Sequence, residues 1–110
     1  AWLLEFLADA HEYDQGIGPV AAMEYGAQRC SLDMDIYITD MIAALETYGF
    51  NHAVWAWFPE GYSQWGDEFL VRRSQDLNDH QDYTDTPLLR ALAQSWSRNS
   101  LRPSNVTFVE

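Results

Sequence analysis

The chain has 110 residues, with seventeen Asp and Glu against six Arg and no Lys, for a formal net charge of −11. That length holds one small domain. The acidity argues against nucleic acid, whose phosphates need clustered cations, and against a polybasic membrane anchor, while an apolar fraction of 47% with five Trp is enough for a packed core rather than a disordered chain.

No apolar run approaches the roughly 20 residues of a membrane-spanning helix. Cys30 stands alone, which excludes an internal disulfide and a cysteine-built zinc site. With no base indicated beside it, a buried or inert thiol is expected. The absence of Lys removes Schiff-base chemistry and a phosphate-loop lysine, and no motif calls for a cofactor. The chain starts at Ala1 without Met or signal peptide, and Trp2 already opens a helical pattern. A processed product or part of a longer protein is the expectation.

Residues 2–15 place Trp2, Leu3, Phe6, Leu7, Ala10 and Tyr13 at three- and four-residue spacings, an amphipathic helix stopped by Gly16-Ile17-Gly18-Pro19. Residues 19–25, ending at Gly26, are read as a buried strand. A second helix over 34–48 carries Met34, Tyr37, Ile38, Met41, Ile42, Leu45 and Tyr48 on one stripe, with Asp33 and Asp35 at its positive end and Gly49 as C-cap. A second strand over 52–58 is ended by Pro59. Residues 59–85 read as a long loop without periodicity, carrying seven acids against Arg72 and Arg73. Thr86-Pro87 is an N-cap with proline at the first helical position, opening a helix over 87–98 whose apolar face is Leu88, Leu89, Leu92, Ala93 and Trp96.

The alternation of helices and apolar strands predicts an α/β architecture with a parallel sheet. Two parallel strands are too little sheet to shield three helices. Such a piece is expected to belong to a larger α/β domain, which a (β/α)₈ barrel or a doubly wound sheet would each complete. Expressed alone, such a piece would self-associate through its exposed strand edges.

Period-two alternation puts Val20, Ala22 and Glu24 on one face of the first strand and Ala21, Met23 and Tyr25 on the other. A carboxylate at the carboxyl end of a buried strand is costly to desolvate, and in barrels that end is the catalytic face. Glu24 is either a working carboxylate or the partner of an Arg elsewhere. In the second strand Ala53, Trp55 and Trp57 share a face, opposite Val54, Ala56 and Phe58. Core packing is the ordinary role of strand aromatics. Here Tyr62 and Trp65 follow in the loop, flanked by Glu60, Asp67 and Glu68, and flat aromatic faces beside carboxylates suit a sugar ring. A connection this long is more consistent with a role over a binding cleft than with a passive link. His11, His52 and His80 have no metal-binding spacing, so no metal site is expected. Asn105-Val106-Thr107 matches the N-glycosylation pattern, a frequent chance occurrence.

The run Pro19-Val-Ala-Ala-Met-Glu24-Tyr-Gly26, a helix, and then Asn51-His-Ala-Val-Trp55-Ala-Trp57 resembles the end of a family 5-type glycoside hydrolase barrel, the cellulase and mannanase group. In that family the seventh strand ends in Glu followed by an aromatic residue and Gly, and the eighth ends in Trp. The match runs from the sixth helix to the eighth. The resemblance implies that Glu24 is the nucleophile of a retaining β-glycosidase and Trp55 the platform beneath the sugar at the cleavage point. Trp57 and the 59–70 loop, with Glu60 and Trp65, would shape neighbouring subsites. The family's acid/base Glu lies in an Asn-Glu pair, which these 110 residues lack, as they lack its Tyr and His partners from other strands. The chain is therefore expected to be inactive alone, and secretion would fit a polymer-degrading parent. Two other readings are a carbohydrate-binding module and a non-catalytic α/β segment with Glu24 locked to an Arg and no cleft above the strand ends.

Overall fold

The computed structural model describes residues 2–57 and 64–99, apart from the side chains of Gln64, Trp65 and Asn99. Helix α1 is Trp2–Gly16, one residue longer than its apolar pattern. Its stripe is wider than the surface that covers it: Leu3 is buried and Leu7 and Ala10 pack on the core, whereas Trp2, Phe6 and Tyr13 are 62%, 70% and 52% exposed. The buried stripe expected from spacing is thus halved, because α1 meets the body of the protein along one side only. Its carboxyl end is tied to the next element, as Asp14 Oδ1 accepts the Val20 N–H at 2.8 Å.

Helix α2, Met34–Thr47, supplies the largest share of the core through Met34, Ile38, Met41, Ile42, Ala44 and Leu45. It starts after Asp33, which is left-handed (φ 56°) and makes no side-chain cap bond. At its end Gly49 takes φ 72°. Gly49 N–H donates to Glu46 O and Phe50 N–H to Leu45 O, both at 3.0 Å. This is the Schellman pattern, which satisfies carbonyls the helix leaves open. On the other side of α2, Tyr48 stacks on His11 of α1 with ring centroids 4.2 Å apart.

Strands β1 (Ala21–Tyr25) and β2 (Asn51–Val54) pair in parallel as a two-stranded sheet. The described protein is a small α/β fold in which long helices cover one face of this sheet. Both strands are shorter than their apolar runs. Pro19 has no N–H to give a ladder, and β2 leaves the sheet where its partner strand ends at Tyr25. Beyond it, Ala56 N–H donates to Phe69 O (3.1 Å) and Val71 N–H to Ala56 O (3.2 Å), so residues 69–71 take over the pairing.

The register corrects the expected faces of β1. Ala22 stands opposite His52 and Tyr25 opposite Val54, so β1 holds one more residue than β2 across this step. Such a bulge reverses which side the following residues occupy. Val20, Ala22 and Tyr25 pack toward the helices, and Ala21, Met23 and Glu24 are exposed. The carboxylate expected beside Val20 and Ala22 on a buried strand therefore stands in water.

Residues 64–85 are not a structureless loop. They begin with the short helix α3, Gln64–Asp67, and continue in turns. Helix α4, Pro87–Asn99, opens with Thr86 Oγ1 accepting the Leu89 N–H at 3.1 Å and donating to Val71 O. Leu88 and Leu92 are buried against α2, while Ala93 and Trp96 of the same stripe are exposed. Among the described residues, no helix is long and apolar enough to cross a membrane.

Candidate functional site

The carboxyl ends of β1 and β2 lie side by side, because the Trp55 N–H donates to the Tyr25 carbonyl at 2.7 Å. Glu24, one residue earlier on the bulge, and Trp55, the first residue past β2, are thereby held at the same end of the sheet. Glu24 is exposed, and among the described residues its carboxylate makes no hydrogen bond or ion pair. Trp55 is half-buried, and its peptide bond to Ala56 is cis. The next residue on the first strand side, Gly26, touches the Trp55 carbonyl so closely that a Cβ there would lie 2.4 Å from the oxygen. Only glycine allows the two backbones to approach in this way.

Tyr25 anchors the bulge from the helix side. Its hydroxyl lies 3.0 Å from His52 Nδ1, with the rings edge to face at 5.4 Å. Burial, reinforced by the Glu46 charge, pushes the Tyr25 hydroxyl up to about 12. It therefore keeps its proton at neutral pH, and the tautomer of His52 sets which of the two groups donates across the contact. Burial lowers the pKa of His52, against the opposing pull of Glu46. Glu46 in turn is held below the usual carboxylate range: its partial burial acts upward, but hydrogen bonds from Ser95 and Arg98, each 2.8 Å, outweigh it. This chain of contacts joins β1, β2, α2 and α4 under the strand ends.

The loop beyond is organised by a residue that sequence reasoning passed over. Arg29 is fully buried, and all five of its N–H donors are used. They reach Asp67 O (3.0 Å), Ser74 O (2.5 Å), Asp76 O (2.6 Å), Leu77 O (3.3 Å) and the Asp67 carboxylate. Asp67 also pairs with Arg73 at 2.8 Å. Partial burial acts to raise the Asp67 carboxyl, but hydrogen bonds from Arg29 and His80, with the charges of Arg29 and Arg73, bring it below its ordinary value. Glu68 accepts from Gln28 Nε2 at 2.9 Å. Two of the three carboxylates expected to flank a sugar, Asp67 and Glu68, are thus occupied with holding the loop. The only hint in the sequence was a lone cation just after a strand and a loop rich in acids.

Of the other expected site residues, Trp57 is 43% exposed and faces α4, its ring centroid 5.7 Å from that of Trp96. Glu60, Tyr62 and the Trp65 side chain lie outside the described residues. Cys30 is a free thiol and exposed, not buried, as it follows Arg29 on the outer side of the turn after β1. Among the described residues no group of His, Cys, Asp and Glu is arranged to hold a metal ion. No protein-family model, curated protein or solved structure matches the chain.

Proposed function

We propose that this chain is the carboxyl-terminal portion of a (β/α)₈ retaining glycoside hydrolase acting on β-linked glycans of the cellulose or mannan type. Glu24 is the nucleophile, and Trp55 is the platform beneath the sugar at the cleavage point. The observation that supports the reading is that Glu24, exposed and without a hydrogen bond or ion pair among the described residues, and Trp55 stand at the carboxyl ends of adjacent parallel strands, whose backbones are joined by the Trp55 N–H to Tyr25 carbonyl bond. In barrels, that end of the strands is where catalytic groups stand. The open sheet face of Ala21, Met23 and Ala53 and the exposed flank of α1 fit a body completed by further strands and helices.

In this reaction the Glu24 carboxylate attacks the anomeric carbon, and the bond to the leaving oxygen breaks as a second carboxylic acid protonates it. Water then releases the sugar from Glu24, giving its proton back to the second carboxylate. That second carboxyl would stand about 5–5.5 Å away in a retaining enzyme, and the proposal takes it from elsewhere in the barrel. The chain alone is accordingly inactive, with open strand edges that favour self-association. In the catalytically competent protein that contains this segment, Glu24→Gln should abolish turnover and leave substrate binding nearly unchanged. Retained turnover would contradict the assignment.

A further inference from the structure

A large cleft that Glu24 does not line lies between the segment after β2 and the outer face of α4. Its volume is about 680 Å³, within the range of ordinary ligand sites. Trp57 and Trp96 form two of its walls, their rings inclined at 50°. Both indoles keep more than a third of their surface in water and lie side by side in the cleft.

The rim is polar yet electrically balanced. The Arg72 guanidinium lies 5.8 Å over the Trp57 ring and 3.8 Å from Asp82. Arg90 pairs with Asp85 at 2.8 Å, and both remain mostly exposed. Arg90 has Asp85 beside it and Arg72 shares Asp82 with Arg73, so the cations of the rim are already engaged by carboxylates. The Arg90–Asp85 pair nevertheless keeps N–H donors and carboxylate lone pairs open to a guest.

From this we infer that the cleft is a second carbohydrate-binding site, which takes the uncharged hexose rings of a β-linked oligosaccharide. The C–H face of a ring lies on the indoles, and its hydroxyls exchange hydrogen bonds with Arg90 and Asp85. A flat hydrocarbon would leave that rim without partners, and a polyanion meets a chain of net charge −11 with no free cationic patch at this rim. The inference goes beyond the catalytic proposal, on which it rests only for the choice of β-linked probes. Glu24 takes no part in it.

The test is a titration of the 110-residue chain with cellohexaose and mannohexaose, followed by tryptophan fluorescence and by NMR of the indole N–H groups, with an oligogalacturonate as charged control. Saturable binding of at least one neutral hexasaccharide is expected, with the Trp57 and Trp96 signals moving together and the charged oligomer binding more weakly. Trp96→Ala should weaken binding about tenfold or more. Ala93→Phe, which fills the cleft from an exposed helix position, should do the same with the far-ultraviolet circular dichroism unchanged. Absence of binding, binding that survives Ala93→Phe, or tighter binding of the oligogalacturonate would overturn the inference. None of these outcomes bears on Glu24, whose test is turnover.

Discussion

Gly26 and Trp55 meet backbone to backbone: a Cβ on Gly26 would lie 2.4 Å from the Trp55 carbonyl oxygen. The contact joins the exit of β1 to the exit of β2 and fixes the spacing of the ends that carry Glu24 and Trp55. Because the obstacle is backbone rather than a flexible side chain, it has little room to yield. Gly26→Ala should cost about 1–3 kcal/mol, the scale of overpacking a tight site. Urea unfolding reads this directly, and an unchanged midpoint would contradict it.

Arg29 holds the segment from Asp67 to Leu77 through five hydrogen bonds, one of them an ion pair with the Asp67 carboxylate. Arg29→Met keeps much of the volume but takes a donor from four carbonyls, leaves those of Ser74 and Leu77 without their Arg29 bonds, and leaves Asp67 with Arg73 as its remaining cation. A loss of about 3–5 kcal/mol is expected, as for removing one partner of a buried pair. Amide hydrogen exchange should quicken in residues 67–80 before it does in α2. Uniform exchange across the chain would contradict the role of Arg29 as the local organiser.

The pH dependence of stability follows from His52, Glu46 and Asp67. The pKa of His52 is lowered from 6.5 by burial. As pH falls through 6.5 the unfolded ring takes up a proton that the folded ring refuses, so stability falls with pH until the lowered folded value is passed. Above 6.5 this contribution is fully present. Glu46 and Asp67 are lowered from 4.5 and 3.8. Their stabilisation is complete above those values and is lost as pH falls through the lower folded ones. The melting temperature should therefore drop in two stages, and His52→Gln should flatten the first. A melting temperature constant between pH 7 and pH 5 would contradict the account of His52.

The helices and the parallel pairing were legible in the sequence because their signals are local. Thr86-Pro87 opens α4 and Gly49 closes α2 by rules that span a few residues. The faces of β1 were not legible. Strict alternation put Glu24 with Val20 and Ala22, and the bulge that separates them exists only in the pairing with β2. Arg29 was missed because its partners lie 38 to 48 residues away. Trp2, Phe6 and Tyr13 were assigned to a core that covers only one side of α1. The backbone bond from Trp55 to Tyr25 and the Trp57–Trp96 contact had no signal in the sequence.

The central claim is that Glu24 forms the covalent bond to the sugar. In the catalytically competent protein containing this segment, a 2-deoxy-2-fluoroglycoside with a good leaving group should accumulate the glycosyl-enzyme, because fluorine slows its hydrolysis. Mass spectrometry of the digested protein then locates the sugar. The account requires the modification on the peptide bearing Glu24 and its absence from the Glu24→Gln variant; a sugar attached to another carboxylate, with the Glu24 peptide unmodified, would contradict it.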